Sequence, residues 1–202
     1  MLLRTDTMTR ESEAEKNAGI CEIIKTRDFS YLYLISFCQI FYGYYIISMY
    51  KTLGTTKIRN DQLLTTIGSV GSLFNGVSRI FWSSLLDCFA FNKVYRTLLF
   101  IQILCITLLE WSLNFPWLYF IVICVSMMCE GAITSILPTE TLKHFGTKRG
   151  SQIYSYMFSS FGVSAITGSI LVALLQYEIG YTGMLYLCLA LTLIAFLLTF
   201  VY

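Results

Sequence analysis

The chain has 202 residues, of which 56% are hydrophobic and 13% charged, with a formal net charge of +2. The charges gather between long apolar runs, so the composition is that of an integral membrane protein, and a net charge this small excludes a nucleic-acid binder. Cys21, Cys38, Cys88, Cys105, Cys124, Cys129 and Cys188 stand singly, without metal-ligand or redox spacing, and read as small buried hydrophobes.

A hydrocarbon core about 30 Å thick takes about 20 apolar residues per helix. Six such runs are present, at 29–50, 62–86, 95–112, 116–138, 151–176 and 180–201. Turns are marked by Gly54, Asn60, Asn92, Asn114 with Pro116, Gly146, Gly150 and Gly180. The alternating pattern of a membrane barrel is absent, and open sheet cannot cross lipid. The expected fold is therefore an all-α polytopic membrane protein with six transmembrane helices.

Residues 1–28 mix basic and acidic side chains and form a polar arm without the early apolar core of a secretory signal. With that arm on the cytoplasmic side, it and the even-numbered loops hold Arg4, Arg10, Lys16, Lys25, Arg27, Lys93, Arg96, Lys143, Lys148 and Arg149, against Lys51, Lys57 and Arg59 opposite. This bias puts both termini in the cytoplasm or its equivalent.

The first run is crowded with aromatics and broken by Gln39 and Gly43; with Tyr42, Gln39 suits a wall on a polar cavity. In the second, Thr65, Ser69, Ser72, Asn75, Gly76, Arg79 and Ser83 recur every three or four residues and share one helix face. Small residues at this spacing let helices approach closely, the expected role of Gly68, Ser72 and Gly76. Arg79 differs, because an arginine at mid-helix costs at least about 2.5 kcal/mol and calls for a water-filled path or a partner.

The third run, with Glu110 at its outer end, and the sixth are apolar nearly all round and should face lipid. The fourth carries Glu130 at a depth matching Arg79, so an Arg79–Glu130 ion pair or proton-and-anion site is expected. The fifth repeats small residues on one face at Ser155, Ser159, Gly162, Ala165 and Ser169. His144 falls in a cytoplasmic loop, where a solvated role is expected. No nucleophile with a base, metal cluster or glycine-rich phosphate loop occurs, so neither an enzyme nor a cofactor or metal is expected.

The segment NGVSRIFWSSLLDCFAFNK resembles the eighth helix and following loop of the major facilitator superfamily, particularly its oxalate/formate antiporter branch and the related monocarboxylate transporters. Asn75, Gly76, Arg79, Trp82, Asp87 and Lys93 match that pattern, whereas Ser83, Cys88 and Ala90 replace a glycine, an arginine and a glycine. EIIKTRDFSYLYLISFCQIFYGYYIIS is similar to the entry into the seventh helix, and CEGAITSILPTETLKHFGTKRGSQIYSYMFSSFGVSAITG to the tenth and eleventh.

The resemblance implies a transporter half whose arm is similar to the inter-half linker. Its implied substrate is a small carboxylate such as a monocarboxylate, contacted by Arg79; from the reading of the residues themselves, Asn75, Glu130, Gln39 and Tyr42 are expected to share that substrate site. It also implies a cytoplasmic latch at Asp87, Lys93, Glu140 and Arg149. An oxalate-type dicarboxylate is disfavoured, because Phe161 stands near the lysine of oxalate carriers. Six helices supply one half of the fold, so besides the lipid bilayer the expected partner is a second six-helix unit, either a copy or a separate chain. The alternative is a transport-inactive structural subunit of a larger membrane complex.

Overall fold

The computed structural model describes residues 20–201, and the described residues are all-α. A short helix α1 (Ile20–Ile23) precedes α2 (Arg27–Thr55), α3 (Asp61–Cys88), α4 (Phe91–Ser112), α5 (Pro116–Phe145) and the long α6 (Thr147–Leu198). Of the polar arm, residues 1–19 lie outside the described residues.

The helices start where local chemistry allows. Thr26 Oγ1 accepts the Phe29 N–H at the head of α2, Asn60 Oδ1 accepts the Leu63 N–H at the head of α3, and Pro116 opens α5 where no intrahelical donor is needed. Gly146, at φ 81°, makes the turn into α6. Gly180, at φ 68° and ψ −174°, breaks α6 into limbs 147–179 and 181–198. Both values lie in backbone regions that L side chains rarely adopt. Six membrane-length segments result, in the order expected.

Boundaries differ in detail. Gly54 and Asn92 lie within helices, and α5 runs past Pro138 to Phe145. Around Pro138, Thr141 Oγ1 donates to the Leu137 and Pro138 carbonyls, as hydroxyl side chains do near prolines in membrane helices. By length and apolarity α2, α4, α5 and residues 149–198 of α6 qualify as spans. Helix α3 has 28 residues, enough to cross, but its polar stripe makes it less apolar than the others.

Helix α5 is central, packing on α2, α3, α4 and α6. Its closest partner is α3, and the two run parallel: Gly71 meets Met127, Gly131 meets Asn75 and Ser78, and Lys143 Nζ donates to the Leu86 carbonyl at 3.1 Å. Helix α2 likewise runs parallel to the first limb of α6, through Tyr33 with Ser159, Ser164 with the Phe37 carbonyl, and Tyr44 with Ser169. Helix α4 lies antiparallel to the second limb, tied by Arg96 to Thr199 at one end and by Thr182 to Glu110 at the other. The side of the bundle formed by α4 and the second limb exposes Phe100, Leu104, Leu108, Leu193, Ile194 and Leu197, the lipid-facing character expected of both runs.

Two apolar cores fill the ends of the bundle. One gathers Phe29, Leu32, Leu86, Phe91, Phe145, Ile153 and Met157; the other gathers Leu53, Ile58, Leu64, Leu113, Tyr119 and Met184. Between them lies a buried polar layer of Gln39, Tyr42, Tyr95, Gln102 and Ser126.

Candidate functional site

The polar stripe of α3 lies on an open face. Thr65, Ser69, Ser72, Gly76 and Arg79 are exposed, with Asn75 and Ser83 half-buried. The buried edge of the same helix, Leu64, Ile67, Gly71, Ser78, Trp82 and Leu86, is the one that seats on α5. Periodicity thus placed the stripe on one face, and the apolar edge beside it decided which way that face points.

Among the described residues Arg79 has one polar contact, donating from Nη2 to Asn75 Oδ1 at 3.4 Å one turn back. Asn75 is itself held by donating from Nδ2 to the Met127 carbonyl at 3.0 Å, so its oxygen stays turned toward the guanidinium.

On α6, Ser155, Ser159, Gly162 and Ser169 are exposed. Tyr33 and Ser159 are hydrogen-bonded at 3.2 Å, and Tyr44 and Ser169 at 2.9 Å, lacing α2 to α6 along this wall. A β-carbon added at Gly76 or Gly162 would meet nothing within 4 Å, so these two glycines are not close-packing points between helices of this chain. Gly68 is one, since a β-carbon there would stand 2.0 Å from Tyr50 Oη.

Glu130 is brought near the level of Arg79, because its neighbour Gly131 touches the Asn75 carbonyl and the Ser78 hydroxyl. The expected ion pair nevertheless does not form. Arg79 projects from the outer face of α3, whereas the Glu130 carboxyl lies on the opposite flank of α5 against α2. There it occupies the space a side chain at Gly43 would fill: a β-carbon would stand 1.6 Å from Oε2 and 2.0 Å from Cδ. Glu130 makes no hydrogen bond or ion pair among the described residues. Matching depth was legible in the sequence; azimuth around the helix was not.

Gln39 and Tyr42 also differ from the expected cavity wall. They are 0% and 1% exposed and turn into the bundle. Tyr42 Oη and Ser126 Oγ are hydrogen-bonded at 2.7 Å, Tyr95 Oη donates to Gln39 Oε1, and Gln102 Nε2 donates to the Gln39 carbonyl at 3.2 Å. This layer ties α2 to α4 and α5. Tyr95, Gln102 and Ser126 went unnoticed in the sequence because each is a single polar residue in an apolar run.

On the side that the sequence assigns to the cytoplasm, Asp87 and Lys93 are exposed and form no ion pair with each other, while Glu140 and Arg149 are half-buried. His144 is not simply solvated: its Nε2 lies 3.1 Å from Asp28 Oδ2, joining the end of α5 to the start of α2. Glu110 accepts from Thr182 Oγ1 at 3.0 Å.

This arrangement offers a guanidinium without an acid partner among the described residues, on a face of hydroxyls and small side chains, a combination suited to binding an anion. Among the described residues no group of three or more histidine, cysteine, aspartate or glutamate side chains is arranged to hold a metal ion. No curated protein matches the chain significantly. The sequence model of the Major Facilitator Superfamily matches residues 29–202, which takes in every membrane-length helix described above. The chain therefore belongs to the Major Facilitator Superfamily, a family of transmembrane transporters.

Proposed function

We propose that the chain forms the binding wall of a carrier for a small carboxylate anion such as a monocarboxylate, with Arg79 as the group that receives the carboxylate. The observation that carries this reading is the position of Arg79: within the span of α3, exposed, and without an acid partner among the described residues. A guanidinium left in lipid there costs at least about 2.5 kcal/mol, so the face it occupies meets water or a counter-charge in the working protein. Its planar fork takes a carboxylate through two parallel hydrogen bonds.

Asn75 orients the fork, and the Tyr44–Ser169 pair, whose mutual bond uses one of its two hydroxyl protons, keeps one donor for a ligand along the wall. Glu130, turned into its niche at Gly43, does not compete for Arg79. Gln39 and Tyr42 act at one remove, holding α2 in place. The open face is closed in this reading by a second six-helix unit, a copy of the chain or a separate first half, since carriers of this type bind at the interface between halves.

Uptake of labelled lactate, pyruvate or formate into proteoliposomes tests the proposal. Arg79→Ala is expected to abolish uptake while insertion and folding stay normal, and Arg79→Lys, which keeps the charge but loses the fork, to reduce it. Equal uptake by wild type and Arg79→Ala refutes it. The departures at Ser83, Cys88 and Ala90 and the separation of Asp87 from Lys93 favour a second reading, a transport-inactive subunit of a larger membrane assembly. Purification from native membranes separates the two: a six-helix partner or a self-dimer supports transport, and a set of unrelated subunits supports the structural role.

A further inference from the structure

At the end of the bundle opposite Asp87 and Lys93, the α2–α3 turn and the start of α5 border a cavity of about 750 Å³ that is open to the surface. It is lined by Lys57, Arg59, Asn60, Gln62, Thr66 and Trp117, with Ile58, Leu63 and Pro116 as its apolar wall. We propose that this cavity binds the headgroup of an anionic phospholipid, its phosphate held between Lys57 and Arg59.

The charge balance is one-sided. Among the described residues no carboxylate lines the cavity, and Asp61, the nearest acid in sequence, pairs with Lys51 at 2.9 Å. Lys57 is positioned: its Nζ donates to Asn114 Oδ1 at 3.0 Å, and Asn114 Nδ2 is anchored on the Trp111 carbonyl at 3.1 Å. That bond uses one ammonium proton and leaves two for a ligand. Arg59 makes no hydrogen bond or ion pair among the described residues, so its whole fork is available.

Depth points to lipid as the source of the anion. Trp111, Phe115 and Trp117 are 57%, 51% and 75% exposed around this end, an aromatic girdle of the kind that sits at headgroup level. The volume falls in the range that holds a drug-sized ligand, much more than a bare phosphate requires. Ile58, Leu63, Pro116 and Trp117 give the glycerol and upper chain an apolar surface beside the cationic floor. Each lysine or arginine near an anionic membrane surface favours an anionic lipid about fivefold, so the pair gives an enrichment of roughly twenty- to thirtyfold.

The chain is reconstituted in vesicles of phosphatidylcholine with phosphatidylglycerol, extracted gently, and its retained lipids are counted by native mass spectrometry. Wild type is expected to retain phosphatidylglycerol over phosphatidylcholine. The Lys57→Ala/Arg59→Ala protein loses that preference, Arg59→Gln, which breaks no hydrogen bond or ion pair among the described residues, loses about half of it on a logarithmic scale, and Lys25→Ala, at the other end of the bundle, keeps it. Retention unchanged in both Arg59→Gln and the double variant overturns the site. Displacement of phosphatidylglycerol by inorganic phosphate at equal concentration overturns the lipid assignment in favour of a soluble anion.

Discussion

Replacing Gly131 by alanine tests the packing that sets the direction of Arg79. Gly131 sits where α5 crosses α3 most closely: an added β-carbon would stand 2.2 Å from the Asn75 carbonyl oxygen, 2.3 Å from Ser78 Oγ and 3.0 Å from the Asn75 carbonyl carbon. The Ser78 hydroxyl can rotate, but the Asn75 backbone cannot move without moving α3. Relief therefore requires the two helices to part.

Overpacking of this kind costs about 1–3 kcal/mol. Parting also weakens two bonds that cross the contact, from Asn75 Nδ2 to the Met127 carbonyl at 3.0 Å and from Trp82 Nε1 to the Met128 carbonyl at 3.2 Å. Interhelical hydrogen bonds in membranes average about 0.6 kcal/mol each, which brings the expected loss to about 2–4 kcal/mol. Unfolding in detergent, followed by far-ultraviolet circular dichroism, measures it. The control is Gly76→Ala on the same helix pair, where nothing lies within 4 Å and alanine should be neutral or up to about 1 kcal/mol stabilising. Equal stability of Gly131→Ala and Gly76→Ala would refute the close crossing and, with it, the outward direction assigned to Arg79.

Further outcomes follow from the same geometry. Gly43→Ala is expected to cost about 1–3 kcal/mol in the wild-type background and close to nothing in Glu130→Ala, since the clash is with the end of that one side chain; additive losses in a double-mutant cycle contradict the niche. Gly180→Ala is expected to cost about 1–3 kcal/mol from backbone strain alone, because nothing lies within 4 Å of the added carbon; an unfolding curve superimposable on wild type contradicts the break seen in α6. Uptake by Arg79→Ala and phosphatidylglycerol retention by the Lys57/Arg59 variants, set out above, test the two binding proposals separately, since those residues lie on different parts of the surface and neither variant touches the other's site.

The resemblance in residues 75–93 led to the superfamily, and the family match over 29–202 bears it out at that level. The branch and its substrate remain within the proposal, because they depend on which surface a second unit presents to Arg79.

Six membrane-length runs, the turns at Gly146 and Gly180 and the one-sided stripe of α3 were all readable from the sequence. Each follows from local rules: the thickness of the hydrocarbon core, the conformational range of glycine and the 3.6-residue helical period. Even the shared level of Arg79 and Glu130 followed from counting residues along two parallel helices. Rotation about each helix axis was decided by packing alone. Gly131 lets α5 lie on α3 along the Leu64–Leu86 edge, which turns Arg79 outward; Gly43 opens a niche in α2, which takes the Glu130 carboxyl; and α2, with aromatic and hydroxyl side chains all round, has no one-sided pattern to show that Gln39 and Tyr42 point inward, toward Tyr95 and Ser126. A helix records its depth in its own residue count, but its azimuth is set by the shape of its neighbours, and those contacts come from residues distant in the chain.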